Sequence, residues 1–123
     1  MKNGAKSTLQ IITIADEIFP EYRKRVDFIQ KYIFPGGMLP SKKALEKQFL
    51  QVGLKSINLK SFGSSYSKTL RLWHSSFNSV WDDIASVKFD DRFKRMWNFY
   101  LASCAAVFYS KTGDVIQVTL KKS

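Results

Sequence analysis

Three features of the sequence predict an α/β fold. Strand-like apolar stretches lie at both ends of the chain and near its middle. A helix, a glycine and a strand follow one another between Ser41 and Phe62, and two long amphipathic helical patterns occupy Ser64 to Phe108. The 123 residues, 45% of them hydrophobic, suffice for one modest core, and no linker-like or low-complexity stretch divides them. A single unit spanning residues 1–123 is expected.

Ser7–Ile14, STLQIITI, is β-branched and almost continuously apolar, which predicts a strand buried on both faces of a parallel sheet. Asp16 and Glu17 open a helical stretch interrupted by Pro20, with Ile18, Tyr22, Val26, Ile29 and Ile33 at helical spacing. In Tyr32–Ser41, YIFPGGMLPS, Pro35 and Pro40 lock φ while Gly36 and Gly37 admit the positive φ of a tight reversal. The residues leave two readings of this loop open, a rigid turn between helices or a ligand-contacting loop. Ser41 is placed to cap the next helix, which has Ala44, Leu45, Phe49 and Val52 on one face and Gly53 as its stop. Leu54–Phe62 then reads as a strand with imperfect alternation.

Beyond Ser64 or Ser65, either of which is placed to cap a helix, Tyr66, Leu70, Trp73, Phe77, Val80, Trp81 and Ile84 keep the spacing of a single helix face. A second face, capped by Asp90 or Asp91, comprises Phe93, Met96, Trp97, Tyr100, Leu101, Cys104, Val107 and Phe108. The short connection around Lys88 makes these helices antiparallel neighbours. Gly113-Asp114 turns into a final strand, VIQVTLKK.

The net charge of +10 favours polyanionic partners, nucleic acid or an anionic membrane surface, and does not choose between them. No nucleic-acid-binding signature accompanies the scattered lysines and arginines, so a solvated basic surface is the plain reading and nucleic acid the weaker option, with no nucleic-acid partner expected. Aromatic residues make up 15% of the chain, ten of them Phe, which predicts a large apolar pocket or an aromatic core. Cys104 is the only cysteine; this excludes an internal disulfide and a cysteine metal cluster and fits a reducing, cytoplasmic compartment. No run approaches the roughly eighteen apolar residues of a membrane span, so peripheral membrane association is the expectation. Standard catalytic constellations are scarce. Asp82-Asp83 and Asp90-Asp91 suit helix ends, His74 has no partner for a metal, and Cys104 lies mid-helix as a core thiol without an activating histidine.

Four stretches nevertheless carry a resemblance: LQIITI (Leu9–Ile14), DFIQKYIFPGGMLPS (Asp27–Ser41), FGSSYSKTLRLW (Phe62–Trp73) and FDDRFKRMWNFYLASCAAVF (Phe89–Phe108). In order and spacing they resemble the C-terminal motifs of the cyclopropane-fatty-acyl-phospholipid synthase (mycolic acid cyclopropane synthase-like) family of S-adenosylmethionine-dependent methyltransferases. The resemblance implies the C-terminal half of a doubly wound, Rossmann-like methyltransferase sheet. Three strands would be present, the last antiparallel and lying between the other two, with a helical-pair insertion over about residues 64–111. It implies transfer of a methyl or methylene group to the double bond of an unsaturated phospholipid acyl chain. The carbocation so formed needs a dry, aromatic-lined channel.

The same resemblance implies bicarbonate as the base, held by Tyr66, by the backbone of Ile12 and at the position of Gln10. The family commonly has histidine at that last position; an amide does not titrate, so simple methylation stands beside ring closure as an outcome. Phe34, Leu70, Tyr100 and Cys104 match acyl-pocket positions. The glycine-rich loop and the acidic residue that hold S-adenosylmethionine would lie upstream of Met1, so no cofactor-binding residue and no metal site is expected here. The expectation is thus a partial domain, inactive alone, completed by a separate N-terminal half or self-associating along the apolar edge of its first strand. The alternative is a non-catalytic basic module that binds anionic lipid surfaces.

Overall fold

A computed structural model describes all residues from Met1 to Ser123. Strands β1 (Lys6–Ile14), β2 (Leu54–Ser61) and β3 (Gly113–Lys122) form one sheet in the order β1-β3-β2, with β3 antiparallel to both neighbours. β1 and β2 therefore run parallel, joined through helix α2 (Lys42–Gln51), and the last strand fills the space between them. This is the topology that the resemblance implies. Like residues face each other across β1 and β3: Thr8 and Thr119 hydroxyls lie 3.0 Å apart, and the Gln117 amide donates to Gln10 at 3.1 Å.

Burial departs from the residue-based reading of β1. Val115, Ile116, Val118 and Leu120 of β3 are at most 2% exposed, whereas Leu9 and Ile12 of β1 are 40% and 36% exposed. The strand expected to be buried on both faces is an edge strand, paired on one side only, and its pairing is antiparallel. The doubly covered position belongs to β3. On one sheet face Leu45 of α2 packs on Ile116, Val118 and Leu120. On the other, Leu70 of helix α3 (Gly63–Ser79) and Leu101, Ala105 and Phe108 of helix α5 (Asp91–Tyr109) pack on Val115.

Local signals set several boundaries. The Ser41 hydroxyl accepts the Ala44 N–H at 3.2 Å to start α2, and Gly53 ends it at φ +70°. Asp90 accepts the Phe93 N–H at 3.0 Å to start α5. The long helical stretch expected from Asp16 to Ile33 is instead two separate turns. Helix α1 (Phe19–Tyr22) has Pro20 in its first turn, where the missing N–H costs nothing, and Val26 beyond it is 74% exposed. A π-helical turn, Ile29–Ile33, then starts afresh from a reciprocal cap. Asp27 accepts the Gln30 N–H at 2.8 Å, and the Gln30 side chain accepts the Asp27 N–H at 3.0 Å.

The helix expected to run on to Ile84 breaks at Val80, leaving Trp81–Ile84 as a one-turn helix, α4. Asn78 and Ser79 donate to the carbonyls of His74 and Ser76, both at 2.8 Å, and so compete with the helical ladder. α3 and α5 run antiparallel, cross-linked by Ser67 Oγ donating to the Ala105 carbonyl at 2.7 Å and by a reciprocal Asn78–Asn98 amide pair at 2.7 and 3.1 Å.

Neither Ser64 nor Ser65 caps α3. The helix begins at Gly63, and its cap is Asp114, which accepts the N–H of Gly63 at 3.0 Å and of Val115 at 2.9 Å. Lys42 at the start of α2 donates to the same carboxylate at 2.6 Å and to the Ser61 hydroxyl at 3.1 Å. Burial alone would raise the Asp114 pKa. Hydrogen bonds from Lys42, Ser61 and Gly63, together with the Lys42 charge, outweigh it and hold the carboxyl below its ordinary value.

A depressed pKa stabilises the fold fully above the unfolded value of about 3.9, and that contribution is lost as pH falls through the folded value. Asp114→Asn is expected to cost about 2 kcal/mol at neutral pH and to flatten the stability profile below about pH 4. Urea unfolding of both proteins across that range is the check, and parallel profiles would count against the assigned role.

Candidate functional site

The helix pair stands over the sheet ends with a gap on one side. Tyr66 and Leu70 from α3, Tyr100, Cys104 and Val107 from α5, and Ile12 and Ile14 from β1 form three walls. The loop from Tyr22 to Leu39 forms the fourth. The Tyr22 hydroxyl accepts the Leu39 N–H at 2.9 Å, the Gln30 amide donates to the Gly37 carbonyl at 2.9 Å, and Gly36 takes φ +76°. The proline-bracketed loop is pinned as a turn, and it walls a cleft through Phe34, Gly37, Met38 and Leu39. The cleft encloses about 460 Å³, and thirteen of its seventeen lining residues are hydrophobic.

Of the seven residues singled out from the sequence, Ile12, Phe34, Tyr66, Leu70, Tyr100 and Cys104 line this one cleft. Gln10 does not. It shares a strand face with Ile12 but lies two residues farther along, exposed and bonded to Gln117, so Gln10 and Tyr66 are not brought together. The Tyr66 ring meets Phe108 edge-on at 5.3 Å and Trp73 at 5.9 Å, and Phe34 meets Tyr100 at 6.3 Å. Burial, then the neighbouring Cys104 and Tyr66, raise the Tyr100 pKa. Burial and the charge of Asp27 push the Cys104 thiol up to about 11. Both groups stay neutral at physiological pH, so the wall carries little charge.

Sequence reasoning missed Tyr22, Gln30 and Gly113 in the lining. Val107 and Phe108 were visible as helix-face residues but not as part of a site. His74 lies outside the cleft, half-buried beside Arg71 in a groove on the outer side of the helix pair, and no cluster of His, Cys, Asp or Glu could hold a metal ion.

A three-stranded sheet with its last strand between two parallel ones, packed with helices, matches the C-terminal part of cyclopropane synthase structures. Cyclopropane synthase MmaA2 from Mycobacterium tuberculosis superposes on 99% of this chain with a TM-score of 0.85 at 24% identity. CmaA1, solved with SAH and CTAB, gives 0.85 at 26% identity, and in both cases 46% of the solved chain is covered. The chain belongs to the mycolic acid cyclopropane synthetase family, whose model matches residues 1–118.

Among similar proteins, tuberculostearic acid methyltransferase UfaA1 of Mycobacterium tuberculosis is 39% identical over 121 residues, covering 98% of this chain and 28% of that protein. The cyclopropane-fatty-acyl-phospholipid synthase of Escherichia coli K12 is 35% identical over 95 residues, covering 77% of this chain and 24% of that protein. The chain thus spans about a quarter of the length of these relatives.

The raised thiol pKa has a measurable consequence. At pH 8, alkylation of Cys104 by iodoacetamide is expected to run roughly a hundredfold slower than that of an ordinary protein thiol and to accelerate only toward pH 11. Rapid labelling at pH 8 would show the cleft to be open and wet.

Proposed function

We propose that this chain forms the acyl-chain end of the active site of a lipid methyltransferase. The family is one of S-adenosylmethionine-dependent methyl and methylene transferases acting on lipids. The observation that carries the reading is the convergence of Phe34, Leu70, Tyr100 and Cys104 on one apolar cleft that also contains Tyr66 and Ile12. An alkyl chain entering it leaves water at a gain of about 25 cal/mol per Å². A cation developing on such a chain beside Tyr66 would be shielded from water and faced by aromatic rings.

Bicarbonate as the base belongs to the same proposal, with the Tyr66 hydroxyl and the Ile12 backbone as its holders. The donor set in this chain is partial, because Gln10, whose side-chain oxygen accepts from Gln117, lies outside the cleft. That observation favours a methyl branch as the product over ring closure, and the name of the Mycobacterium tuberculosis relative is in keeping with it. The lining has no lysine or arginine to meet the carboxylate end of S-adenosylmethionine and only one carboxylate, Asp27, to meet its ribose. The proposal accordingly places S-adenosylmethionine on a portion outside this chain, with no transfer by the chain alone. A separate N-terminal half, or a second copy, would pair along the open edge of β1.

The rim of the cleft suggests how the substrate arrives. Phe34 and Met38 are each 57% exposed, and Val26, Tyr32 and Phe99 are exposed as well. Arg23, Lys24, Arg25 and Lys31 belong to the same loop region, Lys31 lying over the Tyr32 ring at 5.2 Å. Apolar rings flanked by cations suit peripheral docking at an anionic, cytoplasmic membrane surface, and no helix is long and apolar enough to cross a membrane.

Cetyltrimethylammonium is expected to bind the chain in the micromolar range, and Cys104→Phe, which fills the cleft, to weaken binding about tenfold while His74→Ala leaves it unchanged. Calorimetry decides this, and equal binding to all three proteins would refute the acyl reading. Sedimentation with vesicles should show salt-dependent binding to anionic phospholipid. Neutralising Arg23, Lys24, Arg25 and Lys31 to Gln should lower it about a thousandfold, given about 1 kcal/mol per cation at the surface. Undiminished binding by that variant would overturn the docking assignment.

A further inference from the structure

We infer that an interlocked stack of aromatic rings closes the far end of the cleft and sets how long an alkyl chain it accepts, Trp97 being the end wall. The inference rests on the acyl reading above and adds a determinant of specificity to it. Phe93, Trp97, Tyr100, Cys104 and Val107 form a single stripe along α5, each three or four residues from the next. The last three line the cleft, whereas Phe93 and Trp97 do not. α3 divides in the same way, with Tyr66 and Leu70 lining the cleft and Phe77, farther from the sheet, outside it.

The change from open to closed coincides with ring contacts. Trp97 packs on Tyr100 with centroids 4.9 Å apart and lies stacked on Phe93 at 5.8 Å with planes 14° apart. Phe93 in turn meets Phe77 of α3 at 6.4 Å and Phe89 at 5.0 Å, and Phe77 meets Trp81 at 5.5 Å, with the Lys94 ammonium 5.3 Å from the centre of the Trp81 ring. The side of the helix pair that lines the cleft is therefore hollow near the sheet and covered with rings beyond Tyr100.

Ile12, Tyr66 and Val107 stand at the sheet end of the cleft, and Trp97 lies ten residues before Val107, about 15 Å along the helix axis. That distance measures the alkyl length allowed between the reacting carbon and the end of the chain. The material of the wall matters. A leucine or methionine plug changes rotamer easily, but rings held by partners on both helices shift only together, so a chain one methylene too long meets overpacking rather than a yielding surface.

The test is displacement of a fluorescent fatty acid by a homologous series of fatty acids, using the full chain and its Trp97→Ala and Trp97→Phe variants. For the wild type, affinity should rise about fourfold per methylene and then level off sharply once the chain reaches the stack. Trp97→Ala should move that plateau to longer chains, and Trp97→Phe should move it less, while the shorter members bind all three proteins equally. A plateau at the same length in all three proteins overturns the end-wall assignment while leaving the acyl site standing. If no member of the series displaces the probe from the wild-type protein, the acyl reading itself falls, and the inference with it.

Discussion

Asp114 decides where α3 leaves the sheet, and the cleft follows from that. β2 passes into α3 with almost no connecting loop, so the first turn of the helix has no residue of its own to satisfy its N–H groups. The carboxylate comes from the start of β3, with the Lys42 ammonium closing the fourth side. Two glycines make room for this approach. A Cβ at Gly63 would stand 2.7 Å from Asp114 Oδ1, and one at Gly113 would stand 2.7 Å from the Val107 side chain. With both sites bare, helix and strand meet backbone to backbone, and Tyr66, one turn into α3, is delivered over the end of β1.

From that anchor the helix pair extends as a lever whose two halves are built differently. Near the sheet, Ser67 bonds to the Ala105 backbone and the helices hold a fixed separation with space beside them. Farther out, the Asn78–Asn98 amide pair and the surrounding rings fill that space. Every fully buried side-chain nitrogen and oxygen has a hydrogen-bond partner, so the bonds of the polar cross-links offset the cost of removing them from water. A hollow is tolerated here because its walls are supported from behind: Leu70 and Phe108 belong to the core packed on Val115.

What could be read from the sequence was what is local. Ser41, Gly53 and Asp90 mark helix ends through bonds spanning three or four residues, and the faces of α3 and α5 repeat at helical period, so Tyr100 and Cys104 were visible as one surface and Leu70 as part of another. The cap of α3 was not legible, because its acceptor lies fifty-one residues away. Nor were Tyr22 and Gln30, whose work is to bond backbone groups across a loop. β1 misled for another reason: a run of apolar residues does not by itself tell an edge strand from an interior one. The family resemblance placed six residues that prove to share one cleft. It also placed Gln10, which the register of β1 carries past the end of that cleft.

The Thr8–Thr119 and Gln10–Gln117 pairs have an effect beyond their own two bonds. Because side chains alternate faces, sliding β1 by one step along its neighbour would turn Ile12 and Ile14 out of the cleft and seat Ile11 and Thr13 there instead. It would also set threonine and glutamine against unlike neighbours and break both matched contacts at once. The like-with-like rungs thus act as a key against mis-zipping of the sheet, and Gln10, outside the cleft, guards the alignment that keeps isoleucine in the wall.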